Sequence, residues 1–245
     1  MKIAVISDIH SNLEALTACC QMAMEQGAEK FVCLGDIVGY GPDPVAVIDM
    51  LRGLPGFTCI LGNHDEYMYN SIDVKSTAPV QEVAEWTVEQ LSEQHIEFLK
   101  TLPYVLVENG VSYVHASLNN PGNWSYIIKP DSAKKCLDSA STNLVFYGHV
   151  HIPMLFHENQ DNSVELIYPQ AGQKFLLRPN QRYLINVGSV GQPRDDNNDA
   201  SFVMYDEEIH AVSFFRVAYD VDRTIEKIHE YKLHEEFAKR LRTGR

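Results

Sequence analysis

Short apolar runs, each closed by a polar residue, recur along the first part of the chain. Ile3–Ser7, Phe31–Leu34 and Phe57–Leu61 read as buried strands, because consecutive apolar positions leave no polar face for solvent. After the first run, Leu13, Leu16, Cys20 and Ala23 fall on one helical face, with Ser11 or Asn12 as cap and Gly27 as stop. Pro42 stands where the first turn of a second helix should begin, with Val45, Ile48 and Leu51 on its inner face. The order β-α-β-α-β with short connections predicts parallel neighbours, since each crossover returns the chain to the same end of the sheet. All three strands should then finish at one edge of one sheet, the edge where open α/β sheets bind ligands.

The pattern changes over residues 77–101. Thr77-Ala78-Pro79 opens a helical stretch with Val80, Val83, Ala84, Trp86 and Leu91, and Ser92 caps a second helix through Ile96 and Leu99. These helices either cover a sheet or form a cap over the site, since they follow directly on the third strand's loop. Tyr104–Glu108 and Val111–His115 flank Asn109-Gly110, a strong hairpin signal. Asp131 reads as the cap of a short helix, and Leu144–Tyr147 as another buried strand. From Met154 to Val217 the pattern is mostly of strands, for which antiparallel pairing is expected. From Asp222 to Leu241, Ile225, Ile228, Leu233 and Phe237 have the spacing of a helix packed on an outer face. No linker or repeat interrupts the chain, which reads as one domain over 1–245 with a cap-like insertion at about 77–101.

Composition narrows the partners. With 33 acidic against 20 Lys and Arg residues the formal net charge is −13, which disfavours binding to a phosphate backbone. The five cysteines (Cys19, Cys20, Cys33, Cys59 and Cys136) form no C-x-x-C and read as buried reduced thiols of a cytoplasmic protein. No apolar run is long enough to span a bilayer.

The residues that close the strands carry the chemistry. The first run is followed by Asp8-Ile9-His10, the second by Gly35-Asp36, the third by Gly62-Asn63-His64-Asp65. The hairpin's second strand ends in His115, and the run at 144–147 is followed by Gly148-His149-Val150-His151. In an extended backbone, residues two apart point the same way, so Asp8 with His10, and His149 with His151, could each grip one cation from one side. Carboxylate, amide oxygen and imidazole together suit borderline divalent ions such as Mn, Fe, Co, Ni or Zn. An all-oxygen calcium site and a thiolate zinc knot are both disfavoured. Seven ligating positions (Asp8, His10, Asp36, Asn63, His115, His149 and His151) suffice for two ions, more than a mononuclear redox iron site needs. His64, one residue past Asn63, is a candidate for catalysis. His95, His157, His210, His229 and His234 stand outside the pattern.

These five blocks, in order over residues 1–151, resemble the calcineurin-like metallophosphoesterase superfamily, whose pattern is D-x-H, G-D, G-N-H-[D/E], H and G-H-x-H. The run Asn186 to Arg194 is similar to a segment of its small bacterial phosphodiesterase-like branch. The resemblance implies a four-layer α/β/β/α sandwich of two mixed sheets with helices outside. It implies that Asp8, His10, Asp36 and His151 hold one metal and that Asp36, Asn63, His115 and His149 hold the other, with Asp36 bridging. It also gives His64 a role as acid or as donor to a phosphoryl oxygen. The second Asp and the Arg of G-D-x-x-D-R-G, found in protein Ser/Thr phosphatases, are missing from Gly35-Asp36-Ile37-Val38-Gly39-Tyr40-Gly41, and Ala116 follows His115 where many relatives have Gly.

The expected activity is therefore hydrolysis of a small phosphodiester, phosphomonoester or nucleotide, with a hydroxide shared by two cations attacking phosphorus. Arg194 is either a phosphate clamp or the partner of Asp195 or Asp196 in a surface ion pair. The competing readings are a non-catalytic scaffold acting through protein contacts, which the complete ligand set disfavours, and a nuclease, which the acidic balance disfavours.

Overall fold

In a computed structural model that describes residues 1–70 and 77–245, strand β1 (Lys2–Ile6) explains why the early runs carry no polar alternation. Ile3 and Val5 face the space between two sheets, while Ala4 and Ile6 face the helices on the other side. Successive strand residues point to opposite faces, so a strand covered on both must be apolar throughout.

The chain continues through α1 (Leu13–Glu25), β2 (Lys30–Cys33), α2 (Pro44–Arg52), β3 (Thr58–Cys59), the single turn α3 (Asn63–Glu66), α4 (Ala78–Gln90) and α5 (Glu93–Lys100). The hairpin β4 (Val105–Glu108) and β5 (Val111–Val114) leads to α6 (Pro130–Asp138) and β6 (Leu144–Tyr147). Then come β7 (Met154–Glu158), β8 (Val164–Ile167), β9 (Lys174–Leu176), β10 (Tyr183–Asn186), β11 (Ala200–Asp206), β12 (Ala211–Val217), α7 (Val221–Glu230) and α8 (Glu235–Thr243).

Two six-stranded mixed sheets result, ordered β3-β2-β1-β11-β12-β9 and β4-β5-β6-β10-β7-β8. Their facing sides enclose one core, in which Tyr113 and Phe146 stack with ring centroids 5.8 Å apart. A second core lies under α1 and α2 outside the first sheet, and a third under α6 outside the second. This is the four-layer α/β/β/α sandwich. The five cysteines are free and buried. Among the described residues no helix is long and apolar enough to cross a membrane.

Several boundaries differ from the sequence reading. The second helix starts at Pro44, with Asp43 as cap, so Pro42 belongs to the preceding turn. The third strand pairs over only Thr58–Cys59, because the chain then bends to deliver Asn63. Asp131 lies inside α6, whose cap is Lys129. The single helix expected over 222–241 is broken at Lys232, which has φ 56°, into α7 and α8. Those helices do more than cover a face: Ile225, Ile228, Phe237 and Leu241 cluster with Val83 of α4 and with Tyr40, beside the strand-end residues. The strands after residue 154 pair antiparallel except β10, which runs parallel to β6.

The parallel strands are β1, β2 and β3 in one sheet and β5, β6 and β10 in the other. The polar blocks therefore gather where the carboxyl ends of two parallel sets face each other, rather than along one sheet edge. The inter-sheet core holds this rim together. Phe146→Ala should cost about 3–5 kcal/mol, visible as a lower denaturant midpoint with an unchanged slope; an unchanged midpoint would mean that the two sheets are not coupled through this ring.

Candidate metal centre

The chain leaves its strands abruptly. Asp8 (φ 53°), His10 (φ 48°), Asp36 (φ 52°), His149 (φ 65°) and His151 (φ 64°) all adopt the left-handed region. For non-glycine residues such backbone costs of order 1–3 kcal/mol each and persists only where the surroundings impose it. Here neighbouring loops impose it by hydrogen bonds: Asp8 N–H donates to Gly35 O (3.1 Å), His10 N–H to Asp36 O (3.0 Å) and Gly191 N–H to Asp8 O (2.9 Å). The extended backbone expected for the Asp8/His10 and His149/His151 pairs is thus absent. Asp8 and His10 still converge, but His149 and His151 diverge into different groups.

The side chains gather as two groups that share one carboxylate. Asp8, His10, Asp36 and His151 offer ligand atoms within 4.8 Å of one another, and so do Asp36, His115 and His149. Asp36 Oδ2 lies 3.7 Å from His10 Nε2 and 3.4 Å from His115 Nε2. Asn63 Oδ1, 3.2 Å from His115 Nε2, joins the second group.

The nitrogens show what this geometry requires. His10, His115 and His151 turn Nδ1 towards the backbone carbonyls of Val38 (3.2 Å), Leu34 (2.8 Å) and Gln192 (2.6 Å). Donation there leaves each Nε2 of the neutral ring as a lone pair directed inward, the tautomer that metal-binding imidazoles use. His10 Nε2 and His151 Nε2 then face each other at 3.1 Å, and His115 Nε2 faces His149 Nδ1 at 3.2 Å. Two lone pairs at that distance need a positive charge between them, a shared proton or a metal ion. The donor set therefore fits divalent cations.

Electrostatics agree. Burial disfavours charge on Asp8 and Asp36, yet the histidines around them, chiefly His151 and His115 respectively, outweigh it and hold both carboxyls below the usual range. Burial pushes His10 and His151 down. Burial and the neighbouring His115 push His149 down to about 3. His115 goes the other way: burial opposes its charge, but Asp36 pushes it up to about 10.

His64 is buried in the same cluster, its ring 4.9 Å from that of His10 and 4.4 Å from that of Tyr40, while its backbone N–H donates to Asp36 Oδ1 at 2.8 Å. Burial pushes it down to about 4, against the pull of Asp36 and with help from Arg194, so it is neutral near pH 7. Arg194 stacks over Tyr40 at 5.8 Å and bonds Gln192 Oε1 at 2.8 Å. Asp195 and Asp196, the partners considered for it, are taken by Arg216 and Arg245.

Several contributors were not singled out from the sequence. Asp65 accepts hydrogen bonds from Ile37 N (2.8 Å), Val38 N (3.2 Å) and Gly62 N (3.1 Å), tying the Asp36 loop to the Asn63 loop. Its place as the last residue of G-N-H-D was the available signal. Asn186 Nδ2 donates to Gly148 O (2.7 Å) and Ser189 Oγ to Asp8 O (2.8 Å), so the 186–194 run braces both sheets' loops. Glycine at 148 is forced by proximity: a Cβ there would stand 1.9 Å from Ser7 Oγ and 2.6 Å from Asp8 Oδ2. Tyr40, Trp124 and Tyr126 line the cluster with no motif to announce them.

Comparison with known proteins gives a consistent result. Residues 1–209 match the model of the calcineurin-like phosphoesterase superfamily domain. The uncharacterized protein MJ0912 of Methanocaldococcus jannaschii is 37% identical over 249 residues, covering 99% of this chain and 98% of that protein. The phosphodiesterase YfcE of Escherichia coli is 25% identical, over 86% of this chain and 91% of its own length. The crystal structure of a metallophosphoesterase from Sphaerobacter thermophilus superposes with a TM-score of 0.90 at 33% identity, covering 100% of this chain and 99% of that one.

Because His115 holds its proton up to about 10, a cation entering at neutral pH must displace it. Apparent metal affinity should therefore rise about tenfold per pH unit between about 7 and 9, measured by competition with a chelator whose own titration is known. A flat profile would mean that His115 is already deprotonated or does not bind.

Proposed function

We propose that this chain, which belongs to the calcineurin-like phosphoesterase superfamily, hydrolyses a small phosphoester at two adjacent divalent cations. That it is a metal-dependent phosphoester hydrolase follows from the family and from the phosphodiesterase relative. The observation that carries the two-cation reading is Asp36, whose carboxylate stands between two sets of inward-facing imidazoles. Asp8, His10, Asp36 and His151 would hold one ion, and Asp36, Asn63, His115 and His149 the other. Their mixed oxygen and nitrogen donors suit Mn, Fe, Co, Ni or Zn. When bound, such a pair supplies Lewis acidity and activates water near neutral pH.

The chain's own residues supply the remainder. The Nδ1 bonds of His10, His115 and His151 to backbone carbonyls fix the rings, so ligand geometry is set before substrate arrives. His64, neutral and beside Asp36, donates its ring N–H to a phosphoryl or leaving-group oxygen. Arg194, with no carboxylate taken as partner among the described residues, pairs with a non-bridging phosphoryl oxygen, and its stacking on Tyr40 limits where its guanidinium can point. In this reading residues 1–245 form one catalytic unit, with the helices of 77–101 as its flanking cap. The name of the Escherichia coli relative makes a diester the first substrate class to test, and the net charge of −13 favours a small ester over a nucleic acid.

Asp36→Asn should abolish metal-dependent hydrolysis of an aryl phosphoester while far-UV circular dichroism stays unchanged; retained turnover would remove Asp36 from the bridge. His64→Ala should lower kcat by about 10²–10⁴ with metal content unchanged. Loss of metal from that variant would make His64 a ligand instead.

A further inference from the structure

The two sides of the cluster differ in chemistry. On the side of the first group stand the positive Arg194, with Tyr40 and His64. On the side of the second group stand two aromatic rings from the loop between β5 and α6. Tyr126 stacks on His149, with ring centroids 4.2 Å apart and planes at 27°, and Trp124 meets the edge of His115 at 5.6 Å.

Tyr126 is not a core residue. It is 57% exposed, so one face lies on the imidazole and the other meets solvent. It also stands over the least buried side of the cluster. Asp8, His115 and His151 are 0%, 0% and 2% exposed, whereas Asn63, His64 and His149 reach 6%, 6% and 7%. The least buried part of the cluster thus includes His149, on which the Tyr126 ring stacks.

The loop is held rather than loose. Trp124 Nε1 donates to Glu66 Oε2 at 3.2 Å, and Tyr104 OH donates to Glu66 Oε1 at 2.7 Å. Glu66 follows directly on Asn63-His64-Asp65, so one carboxylate fixes the aromatic loop to the segment that carries a candidate ligand. Trp124 (φ 52°) and Asn120 (φ 55°) both adopt left-handed backbone, a local cost that tertiary contacts must offset. Tyr104, Trp124, His115, His149 and Tyr126 form a continuous line of ring contacts that ends on the free face of Tyr126.

We propose that the free face of Tyr126, backed by the His149 ring, receives a flat aromatic group attached to the phosphoester, which makes the substrate a nucleotide-type ester rather than an aliphatic one, a proposal that rests on the hydrolase reading. Every nucleobase has a π face, and stacking on a tyrosine needs no base-specific hydrogen bond. The phosphoryl group lies over the shared carboxylate, Arg194 faces it from one side, and the base lies on the aromatic side. Glu66 acts as a positioning residue for this platform.

The test is calorimetric titration of the manganese-loaded protein with adenosine 5′-monophosphate and with ribose 5-phosphate, which carries the same phosphoryl group without the base. The nucleotide should bind about tenfold more tightly. Tyr126→Ala should erase that difference by weakening the nucleotide alone, with metal content and ribose 5-phosphate affinity unchanged, and Tyr126→Phe should preserve it. Glu66→Gln should weaken the nucleotide selectively, as the loop loses its carboxylate anchor. Equal binding of the two ligands by the wild-type protein would overturn the proposal. So would metal loss in Tyr126→Ala, which would reduce the ring to a prop for His149. Turnover of an aryl monoester and an aryl diester is measured in parallel: absence of both would sink the hydrolase reading, whatever the titrations show.

Discussion

Two imidazole nitrogens held 3.1 Å apart, each with its lone pair turned to the other, repel unless a positive charge lies between them. Much of the molecule serves to maintain that contact. Three backbone carbonyls set the tautomers, five strand-end residues take left-handed backbone, and buried serine, asparagine and aspartate side chains stitch the loops to one another. A cation that binds only the folded form stabilises it by mass action, so metal content and fold stability are linked in this chain.

The sandwich gives the site its breadth. A single parallel sheet would present ligands along one line. Two sheets with facing parallel rims present them from both sides, and the shared carboxylate of Asp36 comes to lie between histidines of the two sheets: His10 from the loop after β1, and His115 from the end of β5. The third parallel strand of the second sheet, β10, leads to none of the candidate ligands. It delivers the 186–194 brace, which reaches back across the gap to Ser7 and Asp8.

The strand-end residues were legible because an apolar run that stops at Asp, Asn or His is a local pattern, and five such stops in order leave little room for coincidence. The separation of His149 from His151 was not legible by spacing, which presumed extended backbone at residues that turn left-handed. The break at Lys232 escaped for a similar reason: apolar spacing continues across it while the backbone does not. Trp124 and Tyr126 lie in a loop without periodicity, and only the folded chain brings their rings to His115 and His149. Asp65 lay in plain view within a recognised block, but its three backbone partners come from two separate loops.

Strand β1 sits in mid-sheet, with β2 on one side and β11 on the other, and its register there pairs Lys2 with Asp206. During synthesis β1 must wait for β11, which is made roughly 200 residues later. At about 5–20 residues per second that delay is of the order of 10–40 s, during which one edge of a strand that is apolar after Lys2 has no partner. The loop that carries Asp8 likewise gains its bonds from Ser189, Val190 and Gly191 only once that distant segment has emerged.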